Sequence, residues 1–193
     1  MRIEMTTLSN WAIIACWIIF IGYWGCNALR VKPAAEKQSW LSLAAFKGPQ
    51  ILGGMLLWCQ GLYDPLRLAL TPHTDLARAG GAVVCVFGLF VAVWSRRTLA
   101  GNWSSNVTFR QGHELIKAGP YRFVRHPIYT GILLMCFGQA IANGRLQAWL
   151  GFLILCIGFW IKLQQEESLL LRHFPGDYSD YRKRVKALVP FLI

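Results

Sequence analysis

The sequence lacks the short motifs that mark soluble nucleotide and metal chemistry. It has no glycine-rich dinucleotide loop, no Walker loop, no HExxH helix and no Cys/His cluster at metal-ligand spacing. Its six cysteines all fall within apolar segments and none forms a CxxC pair, so we expect small buried side chains rather than disulfides. Four histidines and no serine in a nucleophile motif offer little for hydrolysis. These absences argue against soluble dinucleotide binding, a resident metal ion and hydrolytic catalysis.

The sequence also lacks linkers and repeats. No Ser/Gly-rich or Pro-rich stretch divides the 193 residues, and no segment recurs at a fixed period. Apolar residues make up 55% of the chain and aromatic residues 13%, which is more than a soluble core of this length requires. We therefore expect a single all-α membrane domain, residues 1–193, that is polytopic and has much of its apolar surface facing lipid.

Five apolar segments approach the length that a bilayer requires. Lys47 and Pro49 interrupt the second, which predicts either a kinked span or a shorter one that begins near Pro49. A cleavable signal peptide is the alternative for the first, although Cys26-Asn27-Ala28 makes a poor cleavage site. We expect about five transmembrane helices. They are residues 11–29, 41–63, 80–94, 128–142 and 148–161.

The net charge of +11 would point to nucleic acid in a soluble protein, but here the basic residues follow the predicted spans. With five spans, 15 Lys and Arg side chains fall on one side of the bilayer and 4 on the other. Basic residues accumulate on the cytoplasmic side. The pattern therefore predicts an outside amino terminus and a cytoplasmic carboxyl terminus in an inner or endoplasmic membrane, with membrane lipids and no nucleic acid as partners.

Two polar stretches, residues 95–127 and 162–193, remain outside the spans, and both lie on the predicted cytoplasmic side. A tight turn at Asn143-Gly144-Arg145 would join the fourth and fifth spans in an antiparallel hairpin, which returns both stretches to one membrane face. A shared site is expected there. The basic, amphipathic segment 175–186 is predicted to form a separate helix that lies on the membrane surface.

The fourth span has a helix start suited to an anion. Pro127 is predicted in its first turn and His126 at its N-cap. Unpaired backbone N–H groups and the positive end of the helix dipole would attract a carboxylate or phosphate, and Arg122 and Arg125 would add to that attraction. Tyr129 follows His126 by three residues and shares its helix face. The alternative is an interfacial anchor that contacts lipid headgroups.

An acidic pair, Glu166 and Glu167, stands just beyond the fifth span, on a helix that is predicted to continue past the lipid. Adjacent like charges among so many basic groups indicate a cationic ligand or a partner arginine. The alternative is a plain ion pair, either with Lys162 at helical spacing or with Arg122 or Arg125.

The second half of the chain carries a series of short motifs whose order and spacing are more specific than any one of them. They are Gly101-Asn102-Trp103-Ser104, His113-Glu114-Leu115-Ile116, Gly119-Pro120-Tyr121, Arg125-His126-Pro127-Ile128-Tyr129-Thr130-Gly131, Glu166-Glu167, and then Phe174, Tyr178 and Tyr181. This series resembles the isoprenylcysteine carboxyl methyltransferase family. It is also similar to the membrane phospholipid N-methyltransferases, which share the Arg-His-Pro-x-Tyr block and the paired glutamates.

The resemblance implies that S-adenosylmethionine is the cofactor, held by the last two helices and the loop before them. A lipophilic methyl acceptor would enter from the bilayer. Residues 101–193 would then be the catalytic region and residues 1–100 a scaffold. The nucleotide end of the cofactor would be lined by His113, Glu114, Leu115, Ile116 and Tyr121. The methionine end would be held by His126, Pro127, Ile128 and Tyr129, and Glu166 would meet a cofactor hydroxyl or amino group.

Methyl transfer from a sulfonium is an in-line displacement that depends mainly on positioning and on exclusion of water. We expect Lys162 to steer an acidic acceptor, Glu167 to orient neighbouring basic groups, and Arg125 to take part with them. The eukaryotic members of the family carry arginine at the position of Lys162, and lysine cannot make the same bidentate contact. The acceptor can therefore be a prenylcysteine carboxylate, a smaller lipophilic acid, a thiol or a phospholipid amine.

Two other function classes remain open. Sterol reductases have a similar carboxyl-terminal block, which makes an NADPH-dependent membrane reductase an alternative, although those enzymes are longer and have additional spans. A non-enzymatic membrane or lipid-binding protein is the third. Binding of S-adenosylhomocysteine without binding of NADPH would distinguish the methyltransferase from both.

Overall fold

A computed structural model of the protein describes residues 2–28, 39–58, 66, 68–100 and 115–192. These residues form six α-helices and one short 3₁₀ helix, and they contain no β-strand. The α-helices are α1 (Arg2–Ala28), α2 (Trp40–Trp58), α3 (Asp75–Leu99), α4 (Pro127–Asn143), α5 (Leu146–His173) and α6 (Pro175–Arg184), and the 3₁₀ helix is Gly119–Arg122. The all-α prediction is confirmed.

Three helices are long and apolar enough to cross a membrane, namely Thr7–Asn27 within α1, all of α3 and all of α5. Their outward faces carry exposed large apolar side chains such as Ile18, Phe87 and Leu153. Contact with lipid makes such a surface favourable. The chain is therefore a polytopic integral membrane protein. Crossing by α2 and by the apolar but 17-residue α4 stays a prediction.

Helix α2 begins at Trp40 and continues through Lys47 and Pro49 without a break in the helix. Whether the membrane span is the whole helix or begins near Pro49 stays a prediction. Proline is tolerated inside a membrane helix when neighbouring helices support the backbone. Here α2 packs along α5, and Ser42 donates to Gln165 Oε1 on α5 at 2.9 Å.

Helix α3 extends five residues beyond the predicted span 80–94 at each end. The Thr74 side chain caps the amino end by accepting a hydrogen bond from Ala77 N at 3.2 Å. At the other end Arg96 donates to the carbonyl of Ala100 at 2.6 Å. Capped ends allow polar residues to stay helical. The polar stretch predicted to begin at residue 95 therefore begins inside a helix.

Glycine pairs set the closest helix contacts. A Cβ on Gly53 of α2 or on Gly151 of α5 would lie 2.7 Å from the carbonyl oxygen of the opposite glycine. Gly81 of α3 and Gly138 of α4 face each other in the same way. Small residues let membrane helices approach closely. Because α1 packs on α3 and α4 on α5, the helices lie in the order α1, α3, α4, α5, α2.

The predicted turn between α4 and α5 is confirmed. Gly144 ends α4 in the left-handed region, with φ 72°, which glycine adopts without strain. Its carbonyl accepts hydrogen bonds from Leu70 N at 2.8 Å and Thr71 N at 3.0 Å, so the segment before α3 holds the turn. The hairpin brings the start of α4 and the end of α5 to the same end of the bundle.

The cysteines depart from the prediction in one place. Cys26 is exposed, because α1 packs against the bundle on one face and turns the other outward. The described cysteines are all free, with Cys16, Cys85 and Cys136 buried and Cys156 partly buried. Cys59 lies outside the described residues.

Candidate active site

Charged and aromatic side chains gather at the end of the bundle opposite the Gly144 turn. The cluster comes from the start of α4, the last third of α5 and the face of α6 that packs on α5. Two of its residues, Glu166 and Glu167, are neighbours on α5 that share His126 and differ in their other partners. The two polar stretches of the sequence therefore meet, as predicted.

His126 occupies the predicted N-cap position of α4, and Pro127 is the first helical residue. The side chain of His126 makes no capping hydrogen bond. Its ring instead faces the acidic pair, with Nε2 3.3 Å from Glu167 Oε1 and Nδ1 3.6 Å from Glu166 Oε2. The ring is stacked parallel to that of Tyr129, at 5.5 Å between centroids and an interplanar angle of 4°. The shared face predicted for these two residues is confirmed.

The imidazole of His126 is buried and favours the charged form. Burial by itself lowers the pKa of His126, but hydrogen bonds and charges from Glu166 and Glu167 more than offset it and raise the pKa above 6.5. A protonated ring donates from both nitrogens, which matches two carboxylates better than a neutral ring would.

Glu167 is the buried hub of the ion pairs. Arg125 donates to its Oε1 from Nε at 2.7 Å, and Arg125 Nη2 lies 2.6 Å from the same oxygen. Arg182 Nε lies 3.2 Å from the second oxygen. Arg125 also donates to the carbonyls of Val185 and Arg182. The ion-pair alternative therefore holds for Glu167 and Arg125. The Arg125 guanidinium contacts this carboxylate and the carbonyls of Arg182 and Val185, so it does not point to an anion at the start of α4. Arg122 is exposed.

Glu166 has a more accessible environment. The Tyr129 hydroxyl donates to its Oε1, and Lys162 Nζ lies 3.9 Å from the same oxygen. Its side chain is 22% exposed, against 3% for Glu167. Of the two carboxylates, Glu166 is the one that a ligand can reach.

Lys162 lies deeper between the helices, and its side chain is 9% exposed. Its Nζ stands 5.1 Å from the ring centroid of Tyr129 and 5.4 Å from that of Phe46 on α2. Aromatic faces stabilise a buried ammonium. Sequence reasoning missed Phe46, since an isolated aromatic residue in an apolar segment carries no signal of a site.

The carboxyl-terminal segment forms the predicted separate helix, α6, and one face of it packs on the cluster. Its position on the membrane surface stays a prediction. Tyr178 and Tyr181 of α6 are buried, and the Tyr181 hydroxyl donates to the carbonyl of Tyr121. Burial, with a smaller contribution from the Glu167 charge, raises the pKa of Tyr181 to about 12 although Arg125 opposes it. Arg182 then reaches Glu167, a contact that the sequence reasoning also missed.

The chain after α6 fixes the entry to α4. The backbone N–H groups of Arg125 and His126 donate to the carbonyls of Lys186 and Ala187 at 2.8 and 2.9 Å. The Thr130 hydroxyl donates to the carbonyl of Leu188 at 2.7 Å. This pairing sets the direction in which His126 and Arg125 leave the backbone.

Of the remaining candidate residues, the structure describes Leu115, Ile116, Tyr121 and Ile128. Tyr121 is buried in the 3₁₀ helix, and burial followed by the charge of Glu166 raises its pKa. Leu115 and Ile116 are partly buried in the segment before that helix. Ile128 is buried in the first turn of α4. His113 and Glu114 lie outside the described residues.

An apolar cavity of about 540 Å³ lies between α4 and α5. Leu133, Phe137, Phe152 and Trp160 line it, and it reaches Thr130, the residue after Tyr129. Trp160 is also exposed on the outer face of α5, so the cavity opens towards lipid. A hydrocarbon chain is the chemistry that such walls accept.

The fold and the cluster together define an integral membrane protein with a polar site enclosed at one end of its helices. The phospholipid methyltransferase family matches residues 76–177, just over half of the chain. The chain belongs to that family. The matched region includes Arg125, His126, Tyr129 and both glutamates, whereas Phe46 and Arg182 lie outside it.

Named relatives agree with this assignment. The chain is 25% identical over 122 residues to protein-S-isoprenylcysteine O-methyltransferase of Saccharomyces cerevisiae, covering 62% of this chain and 51% of the relative. It is 33% identical over 81 residues to that of Schizosaccharomyces pombe, covering 42% and 34%. It is 27% identical over 117 residues to that of Rattus norvegicus, covering 59% and 41%. The chain thus spans about half, or less, of the length of these relatives.

Proposed function

We propose that this protein is an S-adenosylmethionine-dependent methyltransferase that acts on a lipophilic acceptor drawn from the bilayer. The observation that carries the proposal is the buried cluster of His126, Tyr129, Glu166 and Glu167 in a chain of the phospholipid methyltransferase family. The named relatives are protein-S-isoprenylcysteine O-methyltransferases, so carboxyl O-methylation of an isoprenylcysteine-type acceptor is the nearest activity. Phospholipid N-methylation, or methylation of another lipophilic acid or thiol, is the alternative.

The residues present suit this cofactor. Its sulfonium and ammonium groups are cationic and match the accessible carboxylate of Glu166. Its carboxylate matches the start of α4 at His126 and Pro127. When bound, S-adenosylmethionine supplies an electrophilic methyl group. We assign the nucleotide end to Tyr121, Leu115 and Ile116 together with the sequence-predicted His113 and Glu114.

The charged residues have separate tasks in this proposal. Glu167 holds Arg125 and Arg182, which ties the ends of α4, α5 and α6 together and fixes His126. Arg125 and Glu167 are therefore positioning residues. Lys162 sits between two aromatic faces near Glu166 and steers an acidic acceptor. Burial of these groups excludes water, which favours displacement over hydrolysis.

The apolar cavity between α4 and α5 is the proposed path of the acceptor. Its walls accept a prenyl or acyl chain, and Thr130 in the first turns of α4 lines one end of it. Residues 101–193 would be the catalytic region. Helix α2 contributes Phe46, so the scaffold also shapes the site. The charge distribution supports placing the site on the cytoplasmic side.

Calorimetry on detergent-purified protein tests the cofactor assignment. S-adenosylhomocysteine should bind in the micromolar range and NADPH should not, whereas the opposite pattern would identify a reductase. Binding of neither would favour a lipid-binding protein. Glu166→Gln and His126→Ala should weaken S-adenosylhomocysteine binding, while Arg172→Gln, on the exposed last turn of α5, serves as control.

A labelled-methyl assay against prenylcysteine analogues, lipid extracts and thiols identifies the acceptor. Lys162→Ala should lower turnover of an acidic acceptor more than it lowers affinity for S-adenosylhomocysteine. Equal loss of both would assign Lys162 to the cofactor instead. Lys162→Arg should retain activity towards a carboxylate because it keeps the charge.

A further inference from the structure

A second cavity, with a polar lining and a volume of about 310 Å³, lies at the end of the bundle opposite the proposed active site. Arg145 lies at the start of α5 and the proposed active site near its end, and α5 is long and apolar enough to cross a membrane. The cavity is therefore near the other membrane interface. Its polar lining consists of Asn10, His73, Arg78, Gln139, Asn143 and Arg145.

The lining has the chemistry of an anion site. Arg78 and Arg145 supply two positive charges, and His73 and three amides supply further hydrogen-bond donors. None of the described side chains that line the cavity is acidic. Two arginines and neutral donors around one space match the several oxygens of a phosphate.

The backbone on one side of this cavity is held in place. Leu146 N donates to the carbonyl of Leu68 at 2.8 Å, and Ala69 and Arg145 form a bridge. A Cβ on Gly144 would stand 3.2 Å from the His73 ring, so glycine allows the imidazole to pack on the turn. His73 and Arg145 are thus carried by the same paired segments.

Gln139 gives an independent indication of a ligand. Its side chain is buried on the cavity wall, where Nε2 donates to the carbonyl of Leu57 at 3.5 Å. Its Oε1 accepts no hydrogen bond within the protein. A buried carbonyl oxygen without a donor is costly. Rotation of the Gln139 amide towards the cavity would let a hydroxyl or ammonium on a bound molecule satisfy this oxygen.

The walls of the cavity favour a lipid over a soluble anion. The apolar lining includes Ile14 and Trp58, which are 37% and 46% exposed. A headgroup can therefore enter from the side while its acyl chains stay in lipid. We propose that this cavity binds the phosphate and adjoining polar group of a phospholipid from the leaflet opposite the active site.

Native mass spectrometry of the full chain in detergent tests the proposal, with dioleoyl phosphatidylglycerol and inorganic phosphate as separate probes. One phosphatidylglycerol should stay bound to the wild type. Arg145→Gln should weaken that binding by about tenfold or more, and Gln139→Leu should weaken it as well. Arg172→Gln removes one charge from the other end of α5 and should leave binding unchanged.

Retention of the lipid by both cavity variants at wild-type affinity would overturn the site. Phosphate binding as tight as lipid binding would overturn the lipid assignment. Melting temperatures of all variants should match the wild type within a few degrees. If Arg145→Gln melts early, Arg78→Gln provides the second charge variant with the same expected loss.

Discussion

The adjacent glutamates on α5 allow one substitution, Glu167→Gln, to be judged against its neighbour, Glu166→Gln. Both changes remove one charge and keep the side-chain shape. The Glu167 side chain is 3% exposed and faces Arg125, Arg182 and His126, whereas that of Glu166 is 22% exposed. We therefore expect Glu167→Gln to damage the fold and Glu166→Gln to damage ligand binding.

The size of the effect follows from the Arg125 guanidinium, whose side chain is 8% exposed. Removing the carboxylate leaves that positive charge buried without compensation, which costs about 3 kcal/mol, the lower end of the usual range because Gln still accepts one hydrogen bond. For a chain of this length that corresponds to a melting temperature lower by about 6–12 °C. Glu166→Gln should cost about 1 kcal/mol, or about 2–4 °C, because its surroundings are partly solvated.

Thermal unfolding in detergent, followed by tryptophan fluorescence with and without S-adenosylhomocysteine, measures both effects. The ligand should raise the melting temperature of the wild type and of Glu167→Gln, and much less that of Glu166→Gln. Equal melting temperatures for the two apo variants would refute the assignment of Glu167 as the structural hub. A full ligand-induced shift in Glu166→Gln would refute its contact with the cofactor.

Three further outcomes are expected. The raised pKa of His126 contributes stability that is complete below about pH 6.5 and is lost as pH rises through the folded-state pKa, so His126→Gln should flatten the fall in melting temperature above about pH 6.5; an unchanged slope would contradict this. Gly138→Ala places a Cβ within 2.7 Å of the α3 backbone and should cost about 1–3 kcal/mol, whereas Gly80→Ala, where nothing lies within 4 Å, should not lower the melting temperature. Cys156→Trp fills the cavity between α4 and α5 and should raise the acceptor KM about tenfold with unchanged S-adenosylhomocysteine affinity, and Cys26→Trp on the exposed face of α1 is its control; equal KM values would place the acceptor elsewhere.

Much of the architecture followed from local rules. The apolar runs predicted the helices because a bilayer requires them, and Pro127 and Gly144 predicted the start and end of α4 because each suits one helix terminus. The continuation of α5 past its apolar part was also predictable, since no proline or glycine interrupts it before Phe174. The boundaries of α3 were not predictable, because its capped ends keep polar residues helical.

The sequence by itself determined the class of protein, the family and the set of residues to consider, because periodicity, breakers and motif order are local properties of the chain. It left open which partner each charge would find. Tertiary structure decided that Glu167 holds Arg125 and Arg182 while Glu166 stays accessible, and that Phe46 of α2 flanks Lys162. Those contacts depend on how closely glycine pairs let the helices pack and on how α6 packs on α5. The energy of a buried charge depends on the partners that this packing provides.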